Sequence, residues 1–399
     1  MVTPPMVTTA AHAYPWDVLG DPAFTDRVRA LGLAGVTLAA SYHTVRAATP
    51  LHPRHQLVDA RWAALYRPVR DAAWAQRRLR PTRPTWTESP DPFGAAAAQV
   101  RAAGIPVTAW IVLTHSTRLG SANGDVAVVN AFGESYPYAL CPAHEEVRDY
   151  AATLAAEAVR EVAVDGISLE ACGQLGITHL GHHEKTDGAW TPYAARLLSI
   201  CCCAACWRRW SERGLEPDEV VVALRAAVQA EAMAHPAPLG AALEAALLDT
   251  RHASTDALRA QVLEAVRREA PGAPVTLHAH PDPWTTGPSP GLTPTAAGDV
   301  DALLVPAWPT GPATAEVVAA AAAGSGTRVD APVIDAYVTV LPPADPGELV
   351  PHVRRLVAAG ATRLSLYHLG LVPRRQWQRF GRVLAAVADP AIREEGTRS

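Results

Sequence analysis

Residues 145–170 read EEVRDYAATLAAEAVREVAVDGISLE. A helical pattern over 145–162 feeds a short apolar strand over 165–170 that ends in a carboxylate. Helix-then-strand units of this kind build parallel sheets. The same alternation extends in both directions. Upstream, a first strand at 7–14 is followed by Pro15-Trp16-Asp17 and a helix over 22–31. A second strand covers 35–41, and a helix over 92–103 leads through Gly104 into a third strand at 106–113. Downstream, strands are expected at 274–280, 302–305, 332–338 and 362–367, with helices over 313–323, 347–359 and 375–387. Eight strands with helices between them predict an α/β fold of the (β/α)8 TIM-barrel type. The alternative, an open doubly wound sheet, lacks a Gly-x-Gly-x-x-Gly after the first strand. The reading is one barrel domain over 1–399, with a decorated loop at 42–91 that is rich in Arg, Pro, Trp and His. A long excursion at 171–270 combines a loop with a helical insertion.

Composition narrows the function. Apolar residues make up 49% and charged ones 19% of 399 residues, as in a globular domain, and the formal net charge is −4. That balance argues against nucleic-acid and anionic-membrane partners. No run of about 18 uncharged apolar residues predicts a membrane span. Residues 1–11 have neither a basic nor an apolar leader region, so a cytoplasmic location is expected. The sequence leaves homo-oligomerisation open.

In a barrel, side chains at the C-terminal strand ends face the active site, and alternation along each strand picks out the inward face. Strand four then offers Ser168 and Glu170, strand five His278 and His280, strand seven Asp335 and Tyr337, and strand eight Ser365 and Tyr367. Strand three offers Thr108 and Trp110, with His115 just beyond; the first two strands end at Trp16-Asp17 and Tyr42-His43. A carboxyl at a strand end suits glycoside hydrolysis, in which one carboxyl protonates the leaving oxygen and a second stands opposite. Glu170 is the expected acid and Asp335, across the barrel, the expected second carboxyl. Trp16, Trp110, Trp284 and Trp308 are candidates for stacking on sugar faces, although buried tryptophans commonly serve the core. These residues together suggest a small saccharide ligand.

Two further clusters carry metal chemistry. Cys141 lies in Leu140-Cys141-Pro142, and Cys201, Cys203 and Cys206 form a Cys-x-Cys-x2-Cys run around Cys202. Four thiolates from two chain segments suit a structural zinc; plain packing and disulfides are the alternatives, and Cys202 leaves the ligand choice ambiguous. His179-Leu180-Gly181-His182-His183-Glu184 follows strand four. His182, His183 and Glu184 are candidates for substrate contact, loop hydrogen bonding or metal ligation. Together with His278 and His280 they open a rival reading, a metal-dependent hydrolase. A barrel that binds sugar without cleaving it is a third.

The order Cys141-Pro142, Glu170, Cys201, Cys203, Cys206 and Trp207-Arg208-Arg209-Trp210 resembles the catalytic barrel of glycoside hydrolase family 42 β-galactosidases over about residues 141–210. The resemblance implies a structural zinc on those four cysteines and a general acid/base role for Glu170. The chain departs from that family at Leu169, where the family has Asn, and at Asp335, where it has a nucleophilic Glu on strand seven. Galactose specificity is not carried over.

Overall fold

The computed structural model describes residues 7–179, 185–186, 188–326 and 331–388. Eight parallel strands follow one another around the sheet: β1 (Thr8–Ala13), β2 (Gly35–Tyr42), β3 (Val107–Val112), β4 (Gly166–Glu170), β5 (Val275–His278), β6 (Ala302–Pro306), β7 (Val333–Thr339) and β8 (Arg363–Tyr367). The ring closes because β1 pairs on both sides, with β2 in the register Ala10↔Gly35 and with β8 in the register Thr8↔Arg363. The outward faces of these strands are small or branched apolar residues, such as Ile167 and Leu169 of β4, both fully buried. Helices cover them, which is why parallel strands read as apolar runs.

The excursions are more structured than loops. Within 42–91, Val45–Ala48 pairs antiparallel with Leu57–Ala60, and Ala64–Leu65 adds an antiparallel strand beside β2. Among the described residues between β4 and β5 lie four helices, Pro192–Leu198, Ala204–Ser211, Pro217–Ala232 and Ala241–Glu269. The last packs along Glu145–Val159, the helix that precedes β4.

The barrel interior is layered. TIM-barrel side chains from alternate strands fill common levels, and here His12 of β1, Trp110 of β3, His278 of β5 and Tyr337 of β7 form one such level. Their ring centroids lie 4.7 Å (His12–Trp110), 4.5 Å (His12–Tyr337), 5.7 Å (His278–Tyr337) and 6.4 Å (Trp110–His278) apart. Asp335 lies one inward position below Tyr337 on the same strand, toward the N-terminal end of the barrel. There its Oδ2 accepts hydrogen bonds from Arg363 Nε at 2.6 Å and Ser365 Oγ at 2.8 Å, while Arg363 also donates to Thr276 Oγ1 at 2.8 Å. Asp335 faces inward as alternation required and sits beneath the aromatic level, ion-paired with Arg363; burial outweighs that pairing and pushes its carboxyl up.

This pairing makes a stability prediction. Arg363→Met strands the Asp335 carboxyl in the interior and should cost about 3–5 kcal/mol in denaturant unfolding, whereas Arg363→Met combined with Asp335→Leu should recover most of it.

Candidate active site

Glu170 is the last residue of β4 and points into the barrel above Trp110 and His278. Trp110 Nε1 donates to Glu170 Oε2 at 2.8 Å, and His278 Nδ1 stands 3.7 Å from the same oxygen. His278 is held from below, its Nε2 2.9 Å from Ser168 Oγ. Burial pushes the Glu170 carboxyl up to about 8, and the indole hydrogen bond offsets only part of this. Burial also pulls His278 down to about 3 and His12 well below the usual imidazole range. Neutral rings offer Glu170 no counter-charge. At neutral pH it holds its proton.

Aromatic residues surround this carboxyl. Tyr42 packs 4.6 Å from Trp110 and 4.9 Å from Tyr14, and the Tyr14 and Tyr367 hydroxyls are 3.4 Å apart. Trp308 lies 4.7 Å from Tyr367 and 5.6 Å from Tyr337. The Tyr337 hydroxyl and the Trp308 indole nitrogen are buried without hydrogen-bond partners. Trp308 and Tyr367 keep some exposure and form the outer part of the wall.

Five carboxyl residues are buried among the described residues: Asp17, Asp21, Glu157, Glu170 and Asp335. Asp21 is paired with Arg27, Glu157 with Arg70 and Asp335 with Arg363. Only Glu170 and Asp17 lack a lysine or arginine within ion-pair distance, and both follow strand ends at the C-terminal face. Asp17 accepts from the Tyr14 backbone N–H at 2.8 Å and lies 3.7 Å from His368 Nδ1, while its Oδ1 has no partner. Burial pushes it up to about 8 as well. Gly370 abuts it so closely that a Cβ there would fall 2.1 Å from the Asp17 carboxyl carbon.

The other sequence-predicted residues divide between rim and periphery. His43 stacks on Tyr42 at 4.2 Å and on His115 at 4.4 Å, and His115 Nε2 is 3.1 Å from His179 Nε2. These rings continue the aromatic wall outward. Trp16 is 4% exposed, stacked 4.5 Å from Tyr14 and edge-to-face with Tyr66 at 5.5 Å, and belongs to the packing behind the wall. His182, His183 and Glu184 lie outside the described residues. His280 does not join His278, because β5 ends at His278. The His280 Nδ1 instead accepts from the Asp282 backbone N–H at 3.1 Å and lies 3.0 Å from Thr285 Oγ1. Trp284 lies under Arg196, 4.4 Å from guanidinium carbon to ring centroid, away from Glu170's wall. At the end of β7 the inward residue is Thr339, whose hydroxyl accepts from Leu341 N–H at 3.0 Å.

The sulfurs of Cys141, Cys201, Cys203 and Cys206 all lie within 4.8 Å of one another and are buried; no other such group of metal-ligating residues occurs among the described residues. Cys141 Sγ is 3.6 Å from Cys206 Sγ and 3.8 Å from Cys203 Sγ. Cys202 turns away from this group, its sulfur toward the Ile200 carbonyl at 3.6 Å and its backbone N–H on the Val129 carbonyl. His144 Nε2 sits 3.3 Å from Cys203 Sγ. The cluster ties the segment after the hairpin Ala127–Val129/Ser135–Leu140 to the start of helix Ala204–Ser211.

No family model matches the chain, and no curated protein matches it in sequence. Solved structures do match in shape. The glycoside hydrolase domain of PgaB (BpsB) from Bordetella bronchiseptica aligns with a TM-score of 0.59 at 17% identity, over 95% of this chain and 99% of that one. Alpha-L-fucosidase isoenzyme 2 from Paenibacillus thiaminolyticus gives 0.59 at 14% identity, over 95% of this chain and 49% of the other. A family 42 β-galactosidase from G. stearothermophilus gives 0.57 at 12%, over 96% and 56%. The fold is that of the glycoside hydrolase barrels. The chain spans about half the length of the fucosidase and slightly more of the galactosidase, and nearly all of the PgaB domain.

Three residues packed around Trp110 carried no expectation from the sequence: His12, Tyr14 and His368, with ring centroids 4.7, 6.0 and 6.4 Å from it. Alternation along β1 from Ala10 reaches His12 and Tyr14, inward of the strand's end at Trp16-Asp17. His368 follows β8 directly, and only packing against Tyr14, 4.1 Å between ring centroids, reveals its place.

The raised Glu170 carboxyl couples stability to pH. Because the folded chain holds this proton more tightly than the unfolded one, its contribution is complete below about 4.5 and is lost as pH rises through about 8. Glu170→Gln removes the coupling. Wild type should lose several more degrees of Tm than the variant between pH 5 and pH 8.5 in calorimetry.

Proposed function

We propose that this chain is a glycosidase acting on a saccharide or glycoside, with Glu170 as its general acid/base. The observation that carries the reading is a buried carboxyl at a barrel-strand end, with no lysine or arginine within ion-pair distance, inside an aromatic wall. Burial sets the acid's strength near the working pH, which favours proton transfer. In the proposed reaction the Glu170 proton passes to the glycosidic oxygen, and the bond from that oxygen to the anomeric carbon breaks. The leaving group departs as an alcohol. Positive charge then develops on the sugar ring against the faces of Tyr337, Tyr367 and Trp308, where aromatic quadrupoles favour it. Water adds to the anomeric carbon and yields its proton to the Glu170 carboxylate, restoring the starting state.

Thr339 at the end of β7, where a second carboxyl would stand, favours one other reading: a barrel that binds sugar without turning it over. The metal-dependent hydrolase has less support, since His278 and His280 do not converge.

We also infer that the four cysteines hold zinc. A tetrahedron with Zn–S bonds of about 2.3 Å has edges of about 3.8 Å, and the shorter sulfur separations are 3.6 and 3.8 Å. The ion would fasten two excursions together and take no part in proton transfer.

Glu170→Gln should lower turnover at least about 100-fold with fold and metal content unchanged, and wild-type turnover should decline as pH rises through about 8. Full turnover in the variant ends the glycosidase reading; binding without turnover across a glycoside panel supports the sugar-binding one. Elemental analysis should find one zinc per chain, and Cys206→Ser should lose it together with several degrees of Tm.

A further inference from the structure

Trp110, a candidate for stacking on a sugar face, is 1% exposed. The rings of His12, Tyr14, Tyr42, His278 and His368 pack around it, so no sugar reaches its faces. Its one polar atom is committed elsewhere: the indole Nε1 donates to Glu170 Oε2 at 2.8 Å. Close packing holds the indole there, because it cannot swing away without opening the level of rings that fills the barrel.

An indole nitrogen is a donor only. A protonated carboxyl has a carbonyl oxygen, the better acceptor, and a hydroxyl oxygen, the poorer one. The torsion that exchanges the two is soft, so an unattended carboxyl presents either oxygen to a ligand. At Glu170 the indole bond falls on Oε2, and His278 Nδ1 stands 3.7 Å from the same oxygen. Oε1 takes no hydrogen bond and, unlike Asp17 Oδ1, is not enclosed. The carbonyl character therefore falls on Oε2 and the proton on Oε1.

We propose that Trp110 is the positioning residue of the acid: its N–H holds Oε2 as the carbonyl oxygen, and the proton that passes to the glycosidic oxygen stands on Oε1. This role rests on the glycosidase reading. When the proton leaves, Glu170 becomes a carboxylate and the indole bond becomes charge-assisted, hence stronger. A bond that strengthens as the proton departs stabilises the transition state more than the starting acid. Trp110 also draws the Glu170 carboxyl partly back from the effect of burial. The titratable groups facing that carboxyl are His278, Tyr42, Tyr337 and Tyr367. Burial pulls His278 down to about 3 and pushes the three phenols above their ordinary range, so all four stay neutral around pH 8. Asp17 titrates near Glu170's range but is held by the Tyr14 backbone N–H, and only Glu170 should respond to the loss of the indole.

The test is Trp110→Phe in the full chain, which keeps a ring in the core and removes the donor. On the aryl glycoside that wild type turns over fastest, kcat should fall about tenfold with KM little changed, and the alkaline limb of the kcat profile should move to higher pH. Infrared spectra supply a readout that needs no turnover. The carbonyl stretch of protonated Glu170, identified near pH 6 as the band that Glu170→Gln removes, should move to higher frequency in Trp110→Phe, as a carbonyl released from a donor does. Should Trp110→Phe fail to fold, site-specific replacement of the indole by benzothiophene keeps the shape without the N–H, and the same shifts are expected. An unmoved carbonyl band, or a loss of kcat with no movement of the alkaline limb, overturns the proposal, while turnover that still depends on Glu170 leaves the glycosidase reading standing. Full turnover in Glu170→Gln ends that reading and the positioning role with it.

Discussion

Withdrawing a carboxyl from water without supplying a cation is the constraint on which the site depends. Glu170 sits over an indole and two imidazoles that burial has emptied of charge. Its proton is the least costly way to remain there. The surrounding aromatic level does double duty: it fills the barrel, as interior layers must, and it keeps the dielectric low enough to hold the acid in its protonated form. Packing and chemistry are here the same arrangement, so a change that loosens the rings would alter the acid as well as the core.

Asp335 makes the contrast. It is as deeply buried as Glu170 and also faces inward, yet Arg363 and Ser365 occupy the same oxygen at hydrogen-bond distance. One carboxyl was given a charged partner and holds strands together. The other was given rings and keeps its proton. Burial raises both carboxyls, so what sets them apart is the nearest donor, an arginine for one and an indole for the other.

Much of this was legible in the residues. Buried parallel strands are short apolar runs, so the eight strands emerged with ends displaced by only a few residues; β4 was expected over 165–170 and spans Gly166–Glu170. The cysteine quartet was legible because close ligand spacing needs little tertiary information. Depth within the barrel was not. A period of two tells which face a side chain takes, whereas its height follows from strand tilt and the register of neighbouring strands, so the level of Asp335 beneath Tyr337 comes from the structure alone. His280 failed differently: the strand ended two residues early, and the chain turned the imidazole into a loop. His12 lies on the inward alternation of β1, whereas His368 carries no local pattern, and only the closed ring packs both against Trp110.

The cysteine cluster joins positions 65 residues apart, from Cys141 to Cys206. On the zinc reading proposed above, a fastening of that span would remove loop-closure entropy from the unfolded chain much as a covalent bridge does, but would form without an oxidant and be undone by competition for the ion. With metal in place, the two excursions bordering the barrel mouth have their order set by an external supply. The chain's rigidity then becomes a reporter of how much of that ion its surroundings provide.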